Sequence, residues 1–157
     1  MLVSELRSGA VAGLVATAPM SVAMKMMKEE LPWYERYASP PRIITRKFSQ
    51  KTGIMEGRDE PKESTLTLLA HFGYGTAVGA LYAPLAHKIK KIPALVKGMA
   101  FGLLVWATSY FGLLPALGLM RPAHKQPLQR TIMMVVAHLV WGGVLGLLAE
   151  RGMENKQ

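Results

Sequence analysis

The chain has 157 residues, enough for one domain; half of them are hydrophobic, and 19 Lys and Arg outnumber 10 Asp and Glu. It contains no cysteine, which excludes disulfides, thiolate metal sites and cysteine nucleophiles. The net charge of +9 is unevenly distributed, because the basic groups fill the gaps between apolar runs and almost never enter them. This segregation indicates basic loops beside anionic lipid headgroups and excludes a nucleic-acid partner.

Four apolar runs are each long enough for a membrane-spanning helix, which needs about 20 residues. The predicted spans are residues 8–27, 65–86, 96–120 and 131–149. We therefore expect residues 1–157 to form a single all-α transmembrane domain, an integral four-helix bundle whose main partner is the lipid bilayer. A cleaved signal peptide is the alternative interpretation of the first run.

The long first loop, residues 28–64, contains the sequence "SPPRIITRKFSQKTG", which predicts a short amphipathic helix over about 41–52. Ile44 and Phe48 share one face of this helix, and basic residues occupy another. The pattern is typical of an interfacial helix lying on the headgroups. The alternative is a docking surface for a protein partner over residues 33–53.

The chain also repeats itself. "GAVAGLVATA" from Gly9 resembles "GMAFGLLVWA" from Gly98, and "HFGYGTAVGAL" from His71 resembles "HLVWGGVLGLL" from His138. Each histidine is followed by an aromatic residue three positions on and by glycines four and eight positions on. The pattern predicts two tandem hairpins related by a parallel repeat. A cleaved signal peptide would not be expected to match the third span in this way. Chance similarity between Gly-rich apolar helices is the alternative.

Every predicted span carries a Gly-x-x-x-Gly pair, which puts two small residues on one helix face. In lipid, such pairs let helix backbones approach closely, so we expect them to pack the helices together and to offer a face to a second copy of the chain. The packing glycines are Gly9, Gly13, Gly75, Gly79, Gly98, Gly102, Gly142 and Gly146.

The four glycine pairs all fall in one half of the predicted bundle. We call the side that carries the termini and the short second loop side A, and the side that carries loops 28–64 and 121–130 side B. Pro19 and Pro115 weaken the helices in the half toward side B. We therefore expect a bundle closed at side A, with a polar ligand cavity open toward side B and lined by His71, His138, Ser21, Thr108, Ser109 and Tyr110.

Three interpretations of His71 and His138 remain open. They can be structural, with each neutral imidazole hydrogen-bonded to a neighbouring helix. They can form a ligand- or proton-binding site, because intramembrane ionisable groups are often functional. They can bind a cofactor, either haem b with propionates near Arg121, Lys125 and Arg130, or copper(I) with soft sulfur ligands. The candidate copper ligands are Met20, Met24 and Met134 beside the histidines.

The stretches "GAVAGLVATAPMSVAMKMM", "ASPPR", "HFGYGTAVGALYA" and "HLVWGGVLGLLAE" resemble small uncharacterised bacterial inner-membrane proteins of the YagU-like kind. The resemblance implies a four-helix, multi-pass protein of the bacterial inner membrane and supplies no catalytic residue. The sequence itself holds no hydrolase signature, phosphate loop or paired carboxylates within the spans, so we predict that it is not an enzyme. More basic residues fall on side B, which favours a cytoplasmic position for loop 28–64.

Overall fold

The computed structural model describes residues 2–36, 38–53, 60–89 and 91–154, and all regular secondary structure in these residues is helical. Two short 3₁₀ turns, Trp33–Glu35 and Ala123–Lys125, lie in the loops, and a π-helical segment, Thr108–Leu113, joins α4 to α5. The α-helices are α1 (Leu2–Glu29), α2 (Pro40–Thr52), α3 (Glu60–His87), α4 (Ala94–Ala107), α5 (Leu114–Ala116) and α6 (Leu128–Glu154).

Three helices of the described chain are long and apolar enough to cross a membrane: α1, the continuous helix Ala94–Ala116, and α6 as far as Gly152. Helix α3 is as long as α1, at 28 residues, but it is not among the three. Its glycines and polar groups, including His71 and Tyr74, reduce its hydropathy. The fold is therefore all-helical with three candidate spans, one fewer than the sequence predicts.

The third predicted span, 96–120, is too long at its carboxyl end, because the helix stops at Ala116. Gly118 adopts a left-handed φ of 65° and donates its N–H to the Pro115 carbonyl at 2.9 Å. The N–H of Leu119 reaches back to the Leu114 carbonyl at 2.9 Å, which completes a Schellman cap. Just before this cap, the π segment ends at Leu113, and Pro115 in α5 has no N–H to donate to that preceding turn.

Close glycine contacts join α1 to α3. A methyl group on Gly13 would collide with the carbonyl oxygen of Gly75 and would lie 2.9 Å from the Cα of Gly79. Gly9 faces the backbone of Gly79 in the same way. These two helix backbones therefore touch directly, as small residues allow in a lipid environment.

Glycines also join α4 to α6, but with a different register. Gly9 faces the carbonyl of Gly79, whereas its repeat counterpart Gly98 faces the carbonyl of Gly142 rather than that of Gly146. The second pair of helices is thus offset by one helical turn from the alignment of the two sequence repeats.

Helix α1 also packs against α6, whereas α3 and α4 make few contacts with each other. The indole N–H of Trp141 points at the Gly13 carbonyl at 3.4 Å, and the Ser8 hydroxyl donates to the Ala149 carbonyl at 3.2 Å. The helices therefore lie in the order α3, α1, α6, α4. This order leaves a gap between α3 and α4.

Helix α2 agrees closely with its predicted range, but it packs onto the bundle. Arg42 and Arg46 donate hydrogen bonds to the buried carboxylate of Glu63 at 2.7–3.0 Å. At the other end, the Lys51 ammonium donates to the Leu117 carbonyl at 2.6 Å. The predicted apolar face is divided: Ile44 faces inward and lines the cavity, whereas Phe48 is exposed. This orientation of α2 results from the turn of its two guanidinium groups toward Glu63.

The segment before α2 is held by Arg130 at the start of α6. This side chain is 1% exposed, and it donates hydrogen bonds to the carbonyls of Glu35 at 2.7 Å and Ala38 at 3.0 Å. A buried guanidinium that binds backbone carbonyls fixes the path of the loop. Helix α2, which follows this loop, covers the side B end of the gap between α3 and α4.

Candidate functional site

A cavity of about 280 Å³ fills the gap between α3 and the α4–α5 helix. Helices α1 and α6 form its back wall, and α2 covers its side B end through Pro41, Ile44 and Thr45. Its mouth is flanked by exposed side chains of Ala70 and Leu113. The walls are mainly apolar with a few converging polar groups, which is the usual character of a small-molecule pocket.

Both His71 and His138 line this cavity, and the structure gives them different environments. The Nδ1–H of His138 donates to the carbonyl of Met134 at 2.7 Å, because a carbonyl can only accept. In the neutral ring this leaves Nε2 as an acceptor. The Nε2 of His71 is buried and has no hydrogen-bond partner among the described residues. An orphaned buried nitrogen of this kind needs an explanation, and a bound ligand is one.

The aromatic ring of Tyr110 packs against the imidazole of His138 in an edge-to-face arrangement, with ring centroids 6.1 Å apart. Tyr110 and Ser109 are both buried and both belong to the π segment. A π turn changes which residues face inward, and such turns are frequent at functional sites. Here the turn brings two neighbouring polar side chains to one cavity.

One hydrogen bond bridges the mouth of the cavity. The hydroxyl groups of Tyr74 on α3 and Ser109 on the π segment lie 3.1 Å apart. Because α3 and α4 otherwise make few contacts, this bond closes part of the gap between them.

The floor of the cavity is aromatic. Trp141 lines it from α6 and stacks on Phe101 with ring centroids 6.3 Å apart, and Phe101 packs against Tyr82 at 5.1 Å. Beyond this floor toward side A lie the close glycine contacts. The bundle is therefore tightly packed toward side A and hollow toward side B.

Two residues of the predicted cavity do not line it. The Ser21 hydroxyl donates to the Thr17 carbonyl at 2.8 Å and faces a separate cavity on side B. Thr108 is exposed, and its hydroxyl donates to the Leu104 carbonyl at 2.8 Å, within its own helix. Hydroxyl groups in helices commonly satisfy themselves in this way.

Tyr74 and Trp141 are the important lining residues that the sequence analysis did not assign to the site. The repeat held a signal for both, since each is the aromatic residue three positions after a histidine. Positions three apart share a helix face, so an aromatic residue there faces wherever the histidine faces.

The candidate cofactor ligands are only partly brought together. Met20 and Met134 line the cavity with His138, whereas Met24 faces the separate side B cavity. Arg130 is committed to backbone carbonyls, so it is not available to a haem propionate. Neither Arg121 nor Lys125 lines the cavity. The described residues contain no group of three or more His, Asp or Glu that could hold a metal ion.

The contact that holds α2 over the cavity is electrostatic. Burial raises the pKa of Glu63, but the hydrogen bonds and positive charges of Arg42 and Arg46 outweigh this effect and hold the pKa below its ordinary value of 4.5. The carboxylate is therefore ionised at neutral pH and binds both guanidinium groups. Covering of the cavity and ionisation of Glu63 are linked.

Comparison with known proteins identifies a family for the chain, but that family has no described activity. No curated protein and no solved structure matches the chain. A family model described as "Protein of unknown function (DUF1440)" matches residues 34–147, which is more than half of the chain and includes α2, α3 and most of the cavity. The resemblance to YagU-like proteins stays a prediction. The chain belongs to the DUF1440 family of proteins of unknown function.

Proposed function

We propose that this protein is a multi-pass membrane protein of the bacterial inner membrane that binds a small lipophilic molecule between α3 and α4. The observation that supports this most directly is the convergence of His71, His138, Tyr74 and Ser109 on one apolar-walled cavity. Its mouth lies between two helices, so in a bilayer it faces lipid. A molecule dissolved in the membrane then reaches the cavity without crossing water.

The proposal includes α3 as a fourth spanning helix and the arrangement of the chain as two tandem hairpins. Support comes from the glycine contacts, since α3 lies as close to α1 as α6 lies to α4. A helix packed backbone to backbone against a membrane span shares its depth. Loop 28–64 then faces the cytoplasm, as its basic residues favour.

Cysteine labelling tests this topology, and the absence of native cysteine gives a clean background. Gln50→Cys on α2 and Lys91→Cys after α3 are both at exposed positions. If α3 spans the bilayer, a membrane-impermeant maleimide labels the two from opposite sides. Labelling of both from one side would show that α3 does not cross.

Binding is tested with the full chain in phosphatidylcholine nanodiscs. In a Trp33→Phe, Trp106→Phe background, the buried Trp141 at the cavity floor is the one remaining tryptophan. Bromine quenches tryptophan only on contact, so we expect ω-bromododecanol or ω-bromododecyl phosphate to quench Trp141 saturably. If neither probe quenches it, the binding proposal is wrong.

A matched pair of variants distinguishes the cavity from general contact with lipid. Ala70→Phe blocks the mouth, because Ala70 lines the cavity. Ala77→Phe adds the same ring to the same helix about two turns away, where the side chain is exposed and does not line the cavity. Loss of quenching in the first variant and its retention in the second support the proposal.

A copper site is the second candidate function, because two methionines and two histidines line the same cavity. Thioether and imidazole groups suit copper(I). Metal content of the purified protein, measured by mass spectrometry, tests this: copper near one per chain that is lost in His138→Leu favours it. The same measurement tests haem ligation through iron content in His71→Leu.

A binding role is favoured over a catalytic one. Among the described residues, none of the side chains that line the cavity is a carboxylate, so these residues offer no acidic pair for general acid–base chemistry. A purely structural or partner-docking role is the other alternative. Trp33 is 83% exposed, and Tyr34 and Phe48 are also exposed. Exposed aromatic side chains of this kind are typical of the lipid headgroup region or of a contact with a protein partner.

A further inference from the structure

A second cavity, of about 330 Å³, lies directly beside the first on side B. We call it the vestibule. Three basic side chains, Lys25, Lys28 and Arg42, line it together with the hydroxyl-bearing Ser39 and Ser64. In the part of the chain that the structure describes, no carboxylate is among the side chains that line it.

The vestibule and the inner cavity share two wall residues, His71 and Pro41. His71 therefore stands at the junction, and its buried Nε2 has no hydrogen-bond partner in the described part of the chain. On one side of this ring the walls are apolar, and on the other they are basic and hydroxylated. A single ligand that spans the junction meets both surfaces.

The positive charges of the two vestibule lysines are not neutralised by an ion pair among the described residues. Lys25 and Lys28 make no ion pair within 4 Å among the described residues, and Arg42 already binds Glu63. Side chains at the end of a spanning helix lie at the depth of the headgroups, where basic groups attract anions. The described side chains that line the vestibule therefore carry a net positive charge, which attracts an anionic group.

From these observations we infer that the ligand is an anionic amphiphile, with its phosphate or carboxylate head in the vestibule and its apolar chain in the inner cavity. This inference rests on the proposed binding function. Met133 in the vestibule wall and Trp141 at the cavity floor are about two turns, roughly 12 Å, apart on α6. An extended dodecyl chain covers that distance.

The test compares two probes that differ only in their heads. In the Trp141 reporter protein we expect ω-bromododecyl phosphate to bind more tightly than ω-bromododecanol. Lys25→Gln with Lys28→Gln should weaken phosphate binding about thirtyfold, from about 1 kcal/mol for each basic group near the surface, and leave alcohol binding unchanged. Increased salt should act on the phosphate probe alone.

The matched control is Lys88→Gln with Lys91→Gln, which removes the same charge at exposed positions after α3, far from the vestibule along the chain. Equal affinities of the two probes for the protein with Lys25 and Lys28 intact would overturn the inference while leaving the binding proposal intact. The inference would also be overturned if the control variant weakened phosphate binding as much as the Lys25→Gln, Lys28→Gln variant does. Absence of quenching by both probes is the different result that overturns the binding proposal itself.

Two further arms identify the source of the anion. In one, inorganic phosphate competes with the phosphate probe, and displacement shows that the vestibule also accepts a free anion. In the other, phosphatidylglycerol replaces part of the nanodisc lipid, and displacement shows that the natural occupant is available as a bilayer lipid. Both results require the positive vestibule, so each supports the shared chemistry.

Discussion

Gly13 offers a sharp test of how this bundle is held together. Its Cα faces α3, and an added methyl group would collide with the Gly75 carbonyl and lie 2.9 Å from the Cα of Gly79. Both obstacles are backbone atoms, which cannot rotate away as a side chain can. The Gly13→Ala variant must therefore push α1 and α3 apart.

The magnitude follows from two opposing effects. Overpacking of a close-packed site costs about 1 to 3 kcal/mol in free energy of unfolding. Alanine also favours the helix over glycine by up to about 1 kcal/mol. At Gly73 on α3 nothing lies within 4 Å of an added methyl group, so Gly73→Ala keeps only the favourable effect. We expect Gly13→Ala to destabilise the protein by about 1 to 3 kcal/mol and Gly73→Ala to be neutral or slightly stabilising.

Equilibrium unfolding in mixed detergent micelles measures this difference. Trp141 is a suitable reporter, because its indole N–H points at the Gly13 carbonyl and its ring is buried. Equal unfolding midpoints for Gly13→Ala and Gly73→Ala would refute the close-approach argument. The second hairpin supplies an independent pair, since Gly142 meets the backbone of α4 whereas Gly112 meets nothing within 4 Å.

Three further predictions concern the cover and the mouth of the cavity. Because the pKa of Glu63 is lowered in the folded state, its stabilisation is present above pH 4.5 and is lost as pH falls below that value. The hydrogen-exchange protection factors of α2, corrected for the intrinsic pH dependence of amide exchange, should therefore decrease on acidification and, at neutral pH, in Glu63→Gln but not in the exposed Glu29→Gln. Arg130→Met should expose the loop before α2 to proteolysis, whereas the exposed Arg121→Met should not. Tyr74→Phe removes the bond across the mouth, and we expect it to lower stability by about 0.6 to 2 kcal/mol and to speed probe association with Trp141 in stopped-flow quenching.

Hydrophobic patterning was a good guide to the elements but a weaker guide to their ends. The helix predicted over 41–52 is observed at Pro40–Thr52, because prolines at one end and Gly53 at the other punctuate it strongly. The third span was placed too far toward Met120, since Gly118 sits inside an apolar run and hydropathy does not detect a left-handed cap. Local backbone chemistry, rather than apolarity, ends that helix.

The site could be predicted from the sequence where residues share a helix stripe. His71 and His138 illustrate this, because each shares a helix face with the glycines four and eight positions on, and both line the cavity. The contribution of α2 could not be predicted, since Arg42 and Arg46 were expected on the basic face of a helix lying on the headgroups and instead bind Glu63 on a different helix. That choice depends on a tertiary contact that no periodicity contains.

Helix α3 has a lower hydropathy than the three candidate spans because it supplies polar groups to both cavities. His71 and Tyr74 supply polar groups to the inner cavity, and Ser64 adds a hydroxyl to the vestibule. Each of these groups reduces the apolar character that marks a membrane span, and each lines one of the two cavities between the helices. A helix of this kind gains its place from its neighbour, through the direct backbone contact with Gly13 on α1. We therefore expect Gly13→Ala to weaken probe binding as well as stability, because the helix that it displaces is the one that carries His71.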